Sequence, residues 1–307
     1  KDWEMPVPKL HQTLLKVHAA SLNHRDVWIM KGQYAGIKYP VIPGSDACGI
    51  SKDEFCIVNP GFYWGVNESC QSKAFQILGL PENGSFAEWV AVPEDQLFQK
   101  PGHLDEVQAS ALGLAGVTAY RALVTKCTPS QGENILITGI GGGVALFALQ
   151  FGLALGLNVF VNSSSDEKIK KAIQMGASGG VNYTKDQWAV QLAEIVPDGF
   201  DIIIDGAAGA AFSALVKLTK PGGRICVYGG TKGKLADFTM QPVFWKQLKI
   251  FGSTMGSQND FKNMLDLVNS KQVSPAIDAV FPLSLASEAF SRMEKGEQFG
   301  KIVLKVN

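Results

Sequence analysis

The alternation of hydrophobic and polar positions differs between the two ends of the chain. In the first hundred or so residues, strand-length runs at 14–20, 55–58 and 86–92 mix apolar and polar side chains, and Pro-Gly and Asn-Gly pairs interrupt them. This pattern predicts a compact, barrel-like β domain with long loops.

Beyond Glu106 apolar strands alternate with helices. We predict strands at 134–138, 158–162, 180–183, 200–205, 224–228 and 249–253, and helices at 107–124 (broken at Gly113 and Gly116), from about Val144, and at 166–175. Such alternation indicates a parallel sheet covered on both faces. From about Ser257 the pattern predicts helices at 261–269 and 285–295 and strands at 279–281 and 301–305. We expect part of this segment to return to the first domain.

Length and composition limit the number of domains and the classes of partner. A chain of 307 residues predicts two domains, 1–107 with part of 257–307, and 108–256. Lys+Arg and Asp+Glu are both 28, so there is no basic excess to favour nucleic acid as a partner. No apolar run reaches the ~20 residues that span a bilayer. Five scattered cysteines predict reduced thiols and a cytoplasmic location rather than a disulfide framework.

The strongest local signal is a glycine-rich turn between an apolar strand and a helix, over residues 135–145. Such turns let the backbone approach a diphosphate at the helix N-terminus. Gly139 and Gly141 begin one G-x-G-x-x-G register, which ends at Val144. A shift by one residue ends at Ala145, which is small enough for close packing, and we prefer this register. The predicted diphosphate-binding residues are Gly141, Gly142, Gly143 and Val144; the alternative is an ordinary turn.

The end of the second strand of this domain indicates which dinucleotide binds. NAD-binding proteins place Asp or Glu about 20 residues after the glycines; here that place holds Ser163. A carboxylate would repel a 2′-phosphate, whereas hydroxyls and cations bind it. We therefore predict NADPH, bound by Ser163, Ser164, Lys168 and Tyr183. The alternatives are a helix cap, a surface lysine and a core tyrosine.

Six segments occur in an order that resembles the medium-chain dehydrogenase/reductase superfamily, and within it the zinc-free quinone oxidoreductases. They are 23–26 with 31–32, 43–49, 84–90, 114–120, 139–145 and 299–303. The resemblance implies an α/β fold class, with a GroES-like β-barrel catalytic domain plus a Rossmann doubly wound parallel sheet. It also implies an active site in the cleft between the domains, a homodimer, and Thr118 beside the nicotinamide.

Zinc-dependent relatives carry thiolate, imidazole or carboxylate ligands where this chain has Asn23, Ser45 and Ala115. An amide, a hydroxyl and a methyl do not make a tetrahedral zinc site, so we predict no metal. Cys70 stands alone where relatives with structural zinc carry four cysteines. The chain is also short over residues 49–55; either the loop is truncated or residues are missing there.

Without a metal, a protein donor must meet the negative charge that develops on the acceptor oxygen. Asn23 is the candidate donor. Asp26 either orients its loop or contacts a ribose, or is a helix N-cap. Further cofactor contacts are predicted after the fifth and sixth strands of the second domain and near the C-terminus, at Gly229, Gly230, Ser253, Thr254, Met255 and Lys301; for Lys301 a surface lysine is the alternative.

The acceptor pocket is predicted from aromatic and polar residues of the first domain: Tyr34, Ser45, Phe62, Tyr63 and Trp64. A small hydrophobic core is the alternative for the aromatics. Three functions remain open. The first is NADPH-dependent reduction of a quinone or enone; the second is reduction of an aldehyde or alkenal. The third is a catalytically weak NADPH-binding protein with a structural or sensing role.

Overall fold

The computed structural model describes residues 3–306. Contacts between Cα atoms divide the chain into two units. Unit 1 contains the residues up to Val117 and those from Met255 onward, and unit 2 is Thr118–Thr254. Both combine strands and helices, which confirms the α/β class.

The described strands, in chain order, are β1 (Gln12–Ser21), β2 (Asp46–Ser51), β3 (Glu54–Val58), β4 (Gly61–Phe62), β5 (Gln76–Ile77), β6 (Trp89–Pro93), β7 (Leu97–Gln99), β8 (Asn134–Ile137), β9 (Asn158–Ser163), β10 (Gly179–Asn182), β11 (Phe200–Asp205), β12 (Thr219–Val227), β13 (Lys249–Gly252), β14 (Ile277–Pro282) and β15 (Lys301–Lys305). The α-helices are α1 (His24–Met30), α2 (Glu106–Ser110), α3 (Gly113–Tyr120), α4 (Gly143–Ala154), α5 (Asp166–Gln174), α6 (Trp188–Ile195), α7 (Phe212–Leu218), α8 (Gln241–Trp245), α9 (Gln258–Lys271) and α10 (Ala286–Glu294).

Unit 1 is built on a seven-stranded sheet in the order β14-β15-β1-β2-β3-β7, with β6 also paired to β1. Strand β1 is central because its N-terminal half pairs with β6 and its C-terminal half with β2 and β15. Its apolar side chains Leu15, Val17 and Ala20 enter the buried core. The C-terminal residues of the chain thus complete the sheet that the N-terminal residues begin.

A two-residue turn joins β2 to β3. Ser51 pairs with Glu54, and Lys52 and Asp53 between them have φ of 49° and 65°. Two consecutive positive φ values are typical of the type I′ turn, whose twist matches that of a hairpin. Residues 49–55 therefore form a tight hairpin.

Unit 2 is a six-stranded parallel sheet in the order β10-β9-β8-β11-β12-β13, the doubly wound arrangement predicted for it. Every residue of the central strand β11 is buried, as expected for a strand covered on both faces. Among residues 3–306, no helix is long and apolar enough to cross a membrane.

The helical segment that links unit 1 to unit 2 along the chain is interrupted at a different place from the one predicted. The break lies at residues 111–112, Gly113 begins α3, and Gly116 lies inside that helix, so the predicted break at Gly116 is wrong. A glycine is needed at 113 for another reason. A Cβ there would lie 2.4 Å from Oδ1 of Asp46, and this close approach leaves no room for a side chain.

Candidate active site

A buried carboxylate organises the polar residues of unit 1. Asp46 begins β2 and is fully buried. Its Oδ1 accepts a hydrogen bond from the backbone N–H of Leu114 at 2.6 Å, and its Oδ2 accepts from Ser21 Oγ at 3.0 Å. A buried charge is stable only when paired and hydrogen-bonded, and the neighbours of Asp46 meet that requirement.

Asn23 and Lys301 complete this group. Asn23 Nδ2 donates to Asp46 Oδ2 at 2.8 Å, while Lys301 Nζ donates to Asn23 Oδ1 at 2.7 Å and to Asp46 Oδ2 at 3.0 Å. Lys301, at the start of β15, is 3% exposed, so it is not the surface lysine of the alternative interpretation. We call Asn23, Asp46 and Lys301 the amide cluster. Its members come from three distant parts of the chain.

Asp26 supports the loop that carries Asn23. Asn23 is the N-cap of α1, and its backbone N–H donates to Asp26 Oδ2 at 2.7 Å. Asp26 is thus the third helical residue, and the N-cap alternative for it is wrong. Burial raises the pKa of Asp26 to about 6, against the lowering influence of the Arg25 guanidinium. Its second oxygen, Oδ1, is buried without a hydrogen-bond partner.

Ser45 and Tyr34 both contact Arg25. Arg25 Nη1 donates to Ser45 Oγ at 2.6 Å and to the carbonyl of Leu78 at 2.8 Å, and its guanidinium lies 5.0 Å from the centre of the Tyr34 ring. Ser45 Oγ in turn donates to the same carbonyl at 2.8 Å. The side chain of Ser45 is therefore engaged by a cation of the protein itself.

The three consecutive aromatic residues of the predicted pocket lie in different surroundings. Phe62 belongs to the buried core of unit 1. Trp64 is buried, packs edge-on against Phe75 and donates from Nε1 to the carbonyl of Asn67. Tyr63 has a φ of 60° and is 51% exposed. The burial of Phe62 and Trp64 matches the core alternative, and a pocket role stays a prediction for all three residues.

In unit 2, the glycine-rich turn leads into α4 through Gly142, the N-cap, with Gly143 as the first helical residue. Gly142 has no capping side chain, so no N-cap side chain bonds to the first backbone N–H groups of this twelve-residue helix. Gly139 and Gly141 have φ of 67° and 115°. Val144 follows in the first turn of the helix.

The neighbouring strand holds this turn in place. The backbone N–H of Gly139 donates to Asn162 Oδ1 at 2.9 Å, and that of Ile140 donates to the Asn162 carbonyl at 2.9 Å. On the other side, Thr138 Oγ1 donates to the buried carboxylate of Asp205 at 2.6 Å. The side chain of Lys168 crosses the turn, since a Cβ on Gly141 would lie 2.7 Å from its Cδ and 3.4 Å from its Nζ.

The residues predicted to select the dinucleotide lie at the carboxyl ends of β9 and β10. Ser163 ends β9; its buried hydroxyl donates to the Ile140 carbonyl and accepts from the backbone N–H of Ser165, each at 3.3 Å. Ser164 is exposed. Ser165 caps α5. Tyr183 is half-buried, with its backbone N–H bonded to the Ser163 carbonyl at 3.0 Å.

The other predicted cofactor residues follow strands, begin the returning part of unit 1 or lie within α3. Gly229 and Gly230 follow β12, and a Cβ on Gly229 would lie 2.8 Å from the Gly206 carbonyl oxygen. Ser253 and Thr254 follow β13. Met255, the first residue of the returning part of unit 1, is buried with a φ of 45°. Thr118 is buried in α3.

Comparison with known proteins places this geometry in a family. A model described as alcohol dehydrogenase GroES-like domain matches residues 9–102, and one described as zinc-binding dehydrogenase matches residues 143–270. The zinc-type alcohol dehydrogenase-like protein YogA of Leptosphaeria maculans is 33% identical over 335 residues, which cover 98% of this chain and 92% of that protein. The chain belongs to the medium-chain dehydrogenase/reductase superfamily.

Two other proteins are similar to this chain over nearly its whole length. Human quinone oxidoreductase is 29% identical, over 99% of this chain and 92% of that protein. The crystal structure of an NAD-dependent alcohol dehydrogenase superposes with a TM-score of 0.94 at 31% identity and covers 100% of this chain and 95% of that one. The predicted superfamily and the GroES-like plus Rossmann architecture are confirmed.

Zinc, which the name of one matching family model implies, does not fit the residues present. Ser45 Oγ already contacts the Arg25 guanidinium, and Asn23 Oδ1 already contacts the Lys301 ammonium. A divalent cation between these groups would face two positive charges and no thiolate or imidazole, and the one neighbouring carboxylate, Asp46, is already paired with Lys301. Within residues 3–306, no group of three or more His, Cys, Asp and Glu side chains is arranged to hold a metal ion.

The superfamily motifs in the sequence did not point to four residues of these sites. Asp46 and Arg25 were present in the quoted segments but were given no role, and Asn162 and Asp205 were considered only as parts of strands. A polar residue at the carboxyl end of an apolar parallel strand was the available signal for Asn162 and Asp205. For Asp46 the signal was a carboxylate within an apolar strand.

Proposed function

We propose that this member of the superfamily is an NADPH-dependent reductase that transfers hydride to a quinone or enone without zinc. The observation that carries the cofactor choice is the end of β9, where the chain has Ser163, Ser164 and a nearby Lys168 instead of a carboxylate. The next two acidic side chains, on α5, are both neutralised by lysines. Asp166 pairs with Lys185 at 2.9 Å, and Glu167 with Lys171 at 3.0 Å.

The glycine-rich turn fits a dinucleotide diphosphate. Bound NADPH supplies the hydride. The uncapped N–H groups at the start of α4 bind the diphosphate, and Lys168, whose stem crosses Gly141, adds positive charge to the same turn. The phosphates can approach the backbone closely because there are no side chains at Gly141, Gly142 and Gly143.

Asn23 donates from its amide nitrogen to the oxygen that gains negative charge on the acceptor. Such a donor is most effective when it is already oriented before the charge develops. Asp26 contributes by holding the backbone N–H of Asn23 at the start of α1. Water supplies the proton that completes the product, because an enolate or a reduced quinone needs no strong acid.

A quinone or enone is favoured by the similarity to human quinone oxidoreductase and by the absence of zinc ligands at the places of Asn23 and Ser45. One specific observation favours a second candidate, an aldehyde reductase: the solved structure at 31% identity is named an NAD-dependent alcohol dehydrogenase. Alcohol and aldehyde interconvert by the same hydride chemistry.

We also propose that the chain forms a homodimer through the β13 edge of its parallel sheet. Strand β13 is the last strand in the sheet order, and Ile250 on it is exposed. The helix α8, which precedes β13 in the chain, exposes Phe244 and Trp245, by 65% and 80%. Apolar side chains beside an exposed sheet edge are typical of surfaces that pair. Ile250→Lys should shift the sedimentation coefficient to that of a monomer.

The decisive experiment measures oxidation of NADPH and of NADH against a panel of quinones, enones, alkenals and aldehydes, with and without a chelator. We expect NADPH to be preferred, quinones or enones to be the best acceptors, and the chelator to have no effect. The variant Ser163→Asp should reverse the preference by roughly tenfold or more, because it places a carboxylate beside the 2′-phosphate. Its matched control is Ser163→Ala, which adds no charge at the same position and should not reverse the preference. Preference for NADH, or loss of activity with the chelator, would refute the proposal.

A further inference from the structure

The side-chain amide of Asn23 lies between two opposite charges. Its oxygen accepts from the Lys301 ammonium at 2.7 Å, and its nitrogen donates to the Asp46 carboxylate at 2.8 Å. All three side chains are almost completely buried, with exposures of 5%, 0% and 3% for Asn23, Asp46 and Lys301. The charges therefore act on the amide with little screening by solvent.

This arrangement determines which way the amide faces. An ammonium can only donate and a carboxylate can only accept, so rotating the amide by 180° would place like partners against each other at both ends. Asparagine is the residue of this size that offers an acceptor to one neighbour and a donor to the other. Replacement by Asp would place a second carboxylate against Asp46. Replacement by Leu would leave the Asp46 carboxylate and the Lys301 ammonium without their hydrogen bonds to the amide.

The amide retains one unused donor. An asparagine nitrogen carries two hydrogens, and among residues 3–306 the nitrogen of Asn23 has one acceptor, Asp46. A cation on the carbonyl oxygen withdraws electrons from the amide and strengthens its remaining N–H as a donor. The second N–H is therefore both oriented and polarised.

The groups that set this orientation are themselves fixed. Asp46 is held by the backbone N–H of Leu114 and by Ser21 Oγ, and Ser21 Oγ also donates to the carbonyl of Ser110 at 3.0 Å. Lys301 lies on β15, which pairs with β1 in the central sheet of unit 1. The support thus rests on strands rather than on the loop that carries Asn23.

We propose that Lys301 and Asp46 are positioning residues that act on the reaction through Asn23, by orienting and polarising its amide so that the free N–H meets the developing oxyanion of the acceptor. This inference rests on the proposed hydride transfer to a carbonyl-type acceptor. It assigns Lys301 a role different from the cofactor contact predicted from sequence, and it gives Asp46 a role for the first time.

The kinetic test is a double-mutant cycle. The paired variant Lys301→Met with Asp46→Asn removes both charges together, so that neither is left buried alone. Asn23→Ser removes the amide but keeps an oxygen that can cap α1. In the wild-type background Asn23→Ser should lower kcat by about a hundredfold, as for an oxyanion donor. In the paired-variant background it should lower kcat less than about threefold, because the donor has already lost its orientation.

In this cycle KM for the acceptor should change far less than kcat. The matched control is Lys52→Met with Glu94→Gln, which removes an exposed ion pair of the same unit, 3.0 Å long, and should leave the effect of Asn23→Ser at its full size. Equal factors in the wild-type and paired-variant backgrounds would show that Lys301 acts independently of Asn23, for instance by contacting the oxyanion itself, and would overturn the proposal.

A second measurement does not depend on turnover. Nuclear magnetic resonance of protein labelled with ¹⁵N only in asparagine detects the side-chain amide of Asn23, assigned by its disappearance in Asn23→Ser. We expect its hydrogens to exchange at least tenfold more slowly than those of exposed asparagines, and the paired variant to shift the resonance and speed the exchange. Unchanged resonances in the paired variant would overturn the proposal even if no acceptor in the panel were reduced. If the amide behaves as expected but no acceptor in the panel is reduced, the proposed substrate is refuted instead.

Discussion

The amide cluster of unit 1 and the glycine-rich turn of unit 2 are built in opposite ways. In the cluster, three side chains from residues 23, 46 and 301 meet in the interior, and each depends on the charge of its neighbours. In the turn, a contiguous run of glycines presents backbone N–H groups, the Asn162 side chain holds the loop, and Lys168 crosses it. One site is made by charge pairing across the fold, the other by local backbone geometry.

The contrast predicts how each site responds to amino-acid substitution. A site made of buried charges is coupled to stability, because removing one member leaves its partners without compensation. A site made of backbone N–H groups can lose affinity for its ligand while the fold remains intact, if a substitution alters only the local backbone conformation. The following predictions test that distinction, beginning with the largest effect.

Asp46→Leu should destabilise the protein by roughly 3–5 kcal/mol, because it leaves the Lys301 ammonium buried without its carboxylate and removes the acceptor of Leu114 N–H. Unfolding in urea, followed by circular dichroism, measures the change in free energy. Glu94→Gln, which breaks the exposed Lys52–Glu94 pair, is the control and should cost less than about 1 kcal/mol. Similar costs for both variants would mean that the cluster is not a structural unit.

Asp26→Asn should change how stability depends on pH. The pKa of Asp26 is raised to about 6 in the folded protein, above its ordinary value of 3.8, so protonation favours the folded state. The stabilisation is complete below the unfolded pKa and is lost as the pH rises through about 6. From pH 4 to pH 7 the wild type should therefore lose roughly 2 kcal/mol relative to Asp26→Asn.

Unfolding free energies of both proteins at several pH values in this range test the effect. The matched control is Asp95→Asn, which changes an exposed carboxyl of unit 1 and should run parallel to the wild type. A constant difference between wild type and Asp26→Asn across the range would show that burial does not perturb this carboxyl.

Gly141→Ala should weaken dinucleotide binding about tenfold while costing only about 1 kcal/mol of stability. The reason is that φ at Gly141 is 115° and that a Cβ would press on the Lys168 side chain that crosses the turn. Gly132, with a φ of 84° and open space for a Cβ, is the matched control within the same unit. Gly132→Ala should lose similar stability and no affinity in a fluorescence titration with NADPH; equal loss of affinity in both would locate the ligand elsewhere.

Much of unit 2 was predictable from sequence because its signals are contiguous. The limits of β11 were predicted to the residue, and α4 begins one residue before the predicted Val144. These elements depend on apolar periodicity and on glycine, which act over a few residues. In unit 1 the prediction failed at Gly116, where helix packing tolerates a glycine that local propensity treats as a break.

The amino-acid sequence by itself determined the two-part organisation, the parallel sheet, the glycine-rich turn and the lack of a carboxylate at residue 163, because each is a local property of composition or spacing. Only the tertiary structure decided that Lys301 is buried against Asp46 and Asn23, and that Asp26 is the third residue of its helix with a perturbed carboxyl. Burial and charge pairing between residues up to 278 positions apart are properties of the folded chain, and no pattern along the sequence contains them.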